Sequence, residues 1–326
     1  MLSRRGLLLS AAAGLPALAC LRPASARLFE EGGVVTIVVP FAPGGGSDIL
    51  ARLLSPPLAE ALKVPIVIEN RPGAGGVIAA RHVKAMRPDG TTLLFVDMGF
   101  SAGASLDRQA RYDPTQDFEP IASVASVSSI LTVKQGSPYG SLAELVAAAK
   151  QRLRALNMAS GGTGGTAHLI GAMFADQAGF EPTHVPYRGM SPAMTGVIAG
   201  QTDFIIATAP VALPFIHDKR ATALAVASEK PVALLPEVKT FGQEGYPGVV
   251  AENVYGLVAP AGLPASVAAI LHREISAIVR TDAFADRLAP LAATVLPMDS
   301  SQAYGAFLAA DFAKWREVIQ RNNIAL

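Results

Sequence analysis

Hydrophobic and polar positions along this chain fall into short blocks of two kinds. Thr36-Ile37-Val38-Val39 is a β-branched run of the sort that fills a strand buried on both faces. Pro40 cannot donate to a sheet ladder, so the strand stops there. Ile49, Leu50, Leu53, Leu54 and Leu58 then recur at helical spacing. Pro65-Ile66-Val67-Ile68 is a second short strand, and Val77, Ile78, Val83 and Met86 give a second helix face, ended by Pro88-Asp89-Gly90. Thr92 to Val96 is a third strand. Three strands alternating with two helices predict an α/β unit. Right-handed crossovers make its sheet parallel and place both loops after the first two strands at one edge. Ligands bind at that edge in open α/β sheets.

Further on, Ile121 to Val133 is apolar, β-rich and long enough to cross between domains. Leu142, Leu145, Val146 and Ala149 mark a helix, and Asn157 to Ser160 a strand that runs into Gly161-Gly162-Thr163-Gly164-Gly165-Thr166. A helix carrying His168, Leu169, Met173 and Phe174 follows. Thr183 to Tyr187, Gln201 to Ala207, Ala221 to Val226 and Tyr255 to Pro260 read as strands, the last returning to the first lobe. Ser191 and Pro192 suit the N-cap and first position of another helix. The remainder is helical, with Trp315 as a packing residue on the last helix. A length of 326 residues leaves room for two domains.

The chemistry lies in the turns. After the first strand come Gly44-Gly45-Gly46 and then Ser47 and Asp48, either of which suits a helix N-cap. Residues without Cβ let backbone N–H groups approach a ligand, and a helix N-terminus favours an anion. No Lys-Ser/Thr pair follows, and the G-x-G-x-x-G spacing is missing, so neither nucleotide fingerprint is present. A tight βα turn without ligand is the alternative reading. The Gly161–Thr166 stretch repeats the design about 120 residues later, which suggests two similar lobes. Thr163, Thr166 and His168 add side-chain donors, although an isolated His more often caps or packs. Arg188, at a strand end, either pairs with an anion or is a solvated surface cation.

Charged residues are 16% of the chain and no basic patch stands out, which argues against nucleic-acid binding. Arg4-Arg5, the apolar run through Leu18 and Ala24-Ser25-Ala26 read as an export signal over residues 1–26. Ser3-Arg4-Arg5-Gly6-Leu7-Leu8 resembles a twin-arginine signal, and a general secretory signal fits equally well. Three of the 27 basic residues precede residue 27, which leaves 24 against 26 acids and a formal charge of −2. Cys20 is the sole cysteine, and Ala17-Leu18-Ala19-Cys20 resembles an imperfect lipoprotein box, so a lipid anchor there stays open. Cleavage after Ala26 removes the thiol, and with it disulfide, thiolate-metal and thiol-nucleophile chemistry. His82, His168, His184, His217 and His272 lack metal-ligand spacing, and no catalytic motif appears. Neither a cofactor nor a metal is expected.

Seven ordered motifs carry a more specific signal. They are VVPFAPGGGSD (38–48), ENRPGAGG (69–76), PDGTTLL (88–94), YDPTQDFEPI (112–121), VPYRGMSPAM (185–194), AGQTD (199–203) and LPEVKTF (235–241). Together they resemble the Bug family of extracytoplasmic solute receptors of tripartite tricarboxylate transporters, across essentially the whole mature chain. The resemblance implies a two-lobe periplasmic-binding-protein fold of the Venus-flytrap, type II kind. Residues 27–122 and 251–326 would form lobe 1 and residues 123–250 lobe 2, with the ligand cleft between them. It implies a non-enzymatic, periplasmic protein that binds a small organic acid (a di- or tricarboxylate, amino acid or aromatic acid) and hands it to membrane transporter subunits. Presentation to a sensor kinase is the alternative, and an exported enzyme using Asp48 or His168 as acid–base the less favoured one. Carried onto this chain, the ligand-binding positions are Phe41, Ala42, Gly44, Gly45, Gly46, Ser47 and Asp48 in the first lobe. In the second they are Gly162, Thr163, Gly164, Gly165, Thr166 and His168, with Tyr187, Arg188 and Thr208 flanking the cleft. The chain departs from the family pattern near Gly165-Thr166, over Asp97 to Leu106 and at Thr208-Ala209-Pro210. The last two departures imply a less acidic, more apolar pocket.

Overall fold

The computed structural model describes residues 33–106, 110–151, 156–321 and 324. The expected export signal, its cleavage site and Cys20 lie outside the described residues. The first half opens as the alternating pattern predicts: β1 (Val35–Val39), α1 (Gly46–Leu62), β2 (Ile66–Asn70), α2 (Val77–Lys84), β3 (Thr92–Val96) and α3 (Met98–Leu106). β1 is buried on both faces because its side chains alternate. Ile37 and Val39 pack in a core with Leu50, Leu54 and Leu58 of α1, while Val38 joins Val77, Val83 and Leu94 on the other side. The three α1 leucines are fully buried, each contributing about 1.5–3 kcal/mol. That burial fixes which face of α1 meets the sheet.

β4 (Phe118–Val127) and β5 (Ser129–Lys134) are separated by a single residue and belong to different sheets. The crossover is therefore at Ser128, later than the expected boundary after residue 122. The apolar run is continuous through it, so hydropathy gives no mark. The second unit then runs α4 (Leu142–Gln151), β6 (Asn157–Ser160), α5 (Thr166–Ala178), β7 (Thr183–Pro186), α6 (Met190–Ile198), β8 (Phe204–Thr208), α7 (Ala209–His217) and β9 (Ala221–Val226). The chain returns with β10 (Asn253–Pro260) and ends with α8 (Ala265–Val279), α9 (Asp282–Leu288), β11 (Ala293–Val295) and α10 (Ser301–Arg321). Trp315 is fully buried on α10, its ring N–H donating to Asp311 Oδ1 at 2.9 Å.

The six-stranded sheet has the order β11-β4-β10-β3-β1-β2 and the five-stranded sheet β7-β6-β8-β5-β9. β1 pairs in parallel with β2 and β3, and β6 in parallel with β7 and β8. An antiparallel strand from the other half of the chain completes each set: β10 beside β3 and β5 beside β8. Each lobe is thus the same parallel trio around a central first strand. Both glycine turns leave that central strand, where crossovers diverge to either side and a crevice opens. Among the described residues no helix is long and apolar enough to cross a membrane.

Candidate functional site

The two glycine turns have matching backbones. Gly44 and Gly164 take positive φ values of 78° and 80°. Gly45 and Gly165 are the helix N-caps, with φ/ψ of −76°/165° and −78°/167°. The N–H of Gly45 donates to the Ala42 carbonyl, and that of Gly165 to the Gly162 carbonyl. The first full helical bonds are Ile49 to Gly45 and Leu169 to Gly165. This leaves the N–H groups of Gly46, Ser47 and Asp48, and of Thr166, Ala167 and His168, without backbone acceptors, as helix starts require. The cap is therefore glycine in both lobes. Ser47 and Asp48, expected as caps of α1, lie inside its first turn. Ser191 and Pro192 likewise lie inside α6, whose N-cap is Gly189. In each case a glycine adopts the entry backbone, and the helix begins two or three residues earlier.

A side chain four residues on locks each turn. Asp48 Oδ2 accepts the Gly44 N–H at 2.9 Å, and His168 Nδ1 accepts the Gly164 N–H at 3.0 Å. Burial alone would raise the Asp48 carboxyl, but Arg52, the Gly44 N–H and Asn70 outweigh it and hold its pKa below the ordinary carboxylate value. His168 stacks on His184 with ring centroids 3.8 Å apart and planes within 4°. Burial pushes both imidazoles down to about 4, and His184 contributes to the shift of His168. His184 Nε2 in turn meets Ser160 Oγ at 2.6 Å. Asp48 and His168 were expected at the ligand. The structure instead turns both inward, as braces of their own loops, because each is the nearest acceptor for a glycine N–H that would otherwise be orphaned.

The two turns face one enclosed space. Phe41, Gly45, Gly46 and Ser47 line it from lobe 1, and Gly161, Gly165, Thr166, Met190 and Thr208 from lobe 2. Its free volume is about 20 Å³, room for little more than one water centre, so the cleft stands closed. Thr166 Oγ1 and Thr208 Oγ1 are buried here and have no hydrogen-bond partner of good geometry. Thr208 lies beside the Tyr255 hydroxyl, which also accepts from the Asn253 amide at 2.8 Å. A methyl on Gly46 would sit 2.8 Å from that hydroxyl and 2.9 Å from Thr208 Oγ1, so only glycine leaves the gap.

The outer mouth is lined by Phe41, Gly73, Ala74, Gly75, Gly161, Gly162, Thr163, Tyr187 and the exposed Arg188. Here lobe 1 touches lobe 2 through backbone. Gly75 has φ of 61°, and a Cβ on it would fall 2.3 Å from the Thr163 carbonyl oxygen. Gly189 meets Ala42 in the same way, and Leu106 of α3 covers Gly164. Ala42, Gly44 and Gly164 are therefore parts of the loop scaffold and lobe contact, outside the lining of the enclosed space.

Four lining residues escaped the sequence reading: Asp97, Gly161, Met190 and Tyr255. Asp97 ends β3 and caps α3, its Oδ1 accepting the Gly99 N–H at 2.9 Å. It is 6% exposed, and burial pushes its pKa up to about 6 against the opposing hydrogen bonds from Gly99 and Asn253. A buried carboxyl group thus stands in the wall of a pocket expected to be less acidic and more apolar. The departure from the family pattern over Asp97 to Leu106 was the available signal, and the small residues of that stretch masked it.

Comparison with known proteins agrees with this geometry. Residues 50–324 match the model of the tripartite tricarboxylate transporter family receptor. The chain is 30% identical over 294 residues to the protein BugT of Bordetella pertussis, covering 90% of each. Its fold is similar to the periplasmic binding protein BugD, with a TM-score of 0.87 and 30% identity over 90% of this chain and 99% of that one. It is equally similar to R. palustris Rpa4515 with adipate, at TM-score 0.87 and 32% identity over 91% and 99%. A two-lobed α/β binding-protein fold, paired helix starts around a closed cleft and a family match over most of its length lead to one conclusion: the chain belongs to the tripartite tricarboxylate transporter receptor family.

Proposed function

We propose that this protein is an exported receptor that captures a small organic carboxylate between its lobes and delivers it to the membrane subunits of a tripartite tricarboxylate-type transporter. The observation that carries the reading is the pair of helix N-termini, α1 and α5, whose unpartnered N–H groups border one cleft. Each favours an anion by roughly 0.3–1 kcal/mol at a wet surface and more where water is excluded. The described lining holds no Lys or Arg, so recognition would rest on backbone donors and on the unpartnered hydroxyls of Thr166 and Thr208. Phe41, Gly45, Gly46, Ser47, Gly165 and Thr166 would touch the ligand, with Gly162, Thr163, Tyr187 and Arg188 at its way in. The similar protein with adipate supports a carboxylate as the ligand class. Closure around the ligand, with hinges where the chain crosses between sheets, would present one shape to the transporter.

The test is ligand-stripped mature protein against a broad panel of carboxylic acids, read by thermal unfolding and calorimetry. A binding acid at 100 times its Kd should stabilise the fold by about 2.7 kcal/mol. No response to any acid, or product formation from one, would overturn the reading.

A further inference from the structure

The end of the third strand in each parallel trio reaches the cleft, and the two lobes place different chemistry there. In lobe 2 it is Thr208, neutral and at the N-cap of α7. In lobe 1 it is Asp97, which caps α3 from the equivalent place. Capping alone does not call for an acid, because Ser, Thr or Asn performs it as well. The acid has a cost at this position. It is 6% exposed in a wall without cations, where its donors are the Gly99 N–H at 2.9 Å and the Asn253 amide, which also serves the Tyr255 hydroxyl at 2.8 Å. A carboxyl group so placed repels a second ionised carboxylate in the same closed space and is relieved by a donor.

Resting on the carboxylate reading above, we infer that Asp97 is the specificity-determining residue of the cleft, selecting acids that carry a hydroxyl or ammonium donor and rejecting those with a second ionised carboxylate. The glycine turns hold the common carboxylate end. Asp97 accepts the hydrogen bond from the donor, and an ammonium also balances its charge. The acid at Asp97 and the amides of the two turns sort a ligand by polarity along its length, so a symmetric diacid meets one wall of the wrong sign.

The experiment uses matched probes of three to six carbons. At each length the plain acid, its 2-hydroxy and 2-amino derivatives and the α,ω-diacid are titrated calorimetrically into ligand-stripped protein at pH 7.5. At the best length, a donor-bearing acid should bind about tenfold or more tighter than the plain acid and the diacid. Asp97→Asn and Asp97→Thr both keep a cap for α3, and the second copies lobe 2. Either should reduce that preference to about threefold or less, mainly by improving the diacid. Circular dichroism of the unliganded variants checks that they fold, and two variants guard against failure of one. Plain acids or diacids binding wild type as well as donor-bearing acids, or an unchanged ranking in both folded variants, would overturn the inference and leave the carboxylate reading intact. Silence from every acid would sink both.

Discussion

The two glycine turns share one backbone and differ in what secures it. Lobe 1 uses an ionised aspartate held by Arg52, Asn70 and the Gly44 amide. Lobe 2 uses a neutral histidine stacked on a second one. The contact required is the same, an acceptor for a positive-φ glycine N–H, and chemically unlike groups meet it. The comparison teaches that the conformation of the turn, with its free helix-start amides, is the common element. The residue behind it is exchangeable and sets the conditions under which the turn survives. The lobes also differ at the first helical position, where lobe 1 has Gly46 and lobe 2 Thr166. Only the glycine leaves space in front of Tyr255 and Thr208.

The strongest way to break the comparison is to give lobe 1 the Cβ that lobe 2 carries. Gly46→Ala places a methyl 2.8 Å from the Tyr255 hydroxyl and should block the cleft. Its φ/ψ is helical, so the unliganded fold should hold. We expect ligand affinity to fall by about a hundredfold, roughly 2.7 kcal/mol, measured calorimetrically with whichever acid binds wild type. An unchanged affinity would remove Gly46 from the site.

Acid separates the two braces next. The folded-state pKa of His168 and His184 lies near 4, below the ordinary 6.5 of an unfolded chain. Between those values the unfolded chain binds more protons, so stability is full above about pH 6.5 and is lost as pH falls towards 4. The loss is on the order of 2 kcal/mol for the stacked pair, allowing for the partial exposure of His184. Asp48 has the same sign in a lower window: its pKa is lowered, so its contribution is present above the ordinary 3.8 and disappears only as pH falls below it. Unfolding of wild type and of His184→Gln across pH 7.5 to 4 checks this. The variant should show the flatter profile, and parallel profiles would refute it.

A smaller loss is expected on cutting the lobe 1 brace. Asp48→Ala orphans the Gly44 N–H and leaves Asn70 with Phe41 and Arg52 alone, while Arg52, half exposed, keeps Asn70 Oδ1 and water. Chemical denaturation should record about 1–2 kcal/mol of destabilisation. Because the substitution leaves every helix-start amide in place, the binding stoichiometry should be preserved. The mildest change is at the mouth. Arg188→Ala should slow ligand association about threefold at low salt and barely at all at 0.5 M, since exposed charges are screened there. Stopped-flow rates that fall equally at both salts would place Arg188 in contact with the ligand instead.

Much of this was legible in the chain, and the misses have physical causes. The parallel trio of lobe 1 followed from β-branched runs alternating with leucine spacing, lobe 2 was legible as a repeat of the glycine turn, and both turns were found with the helices they open. The helix caps were misplaced because Ser and Asp are the usual capping residues, whereas here glycines adopt the entry backbone. α3 has no helical period, since Met98, Gly99, Phe100, Ser101, Ala102 and Gly103 are all buried, leaving no polar face to reveal it. Asp97 opened a stretch of small residues after the third strand, and Asn253, which hydrogen-bonds to it, lies some 155 residues away in sequence. The His168–His184 stack likewise joins α5 to β7, and no spacing rule in one dimension reports it.

The crossing at Ser128 carries one more consequence. Val127 pairs with Asn253, so the outgoing and returning connections lie side by side, and Ser126 donates to Glu252 at 2.8 Å across them. Two short straps fixed at neighbouring points behave like the leaf of a door. They permit swing about a single line and resist twist or sliding. The position of one lobe relative to the other then reduces to a single angle, and a reporter dye pair on the outer ends of α2 and α4 would read occupancy as distance alone.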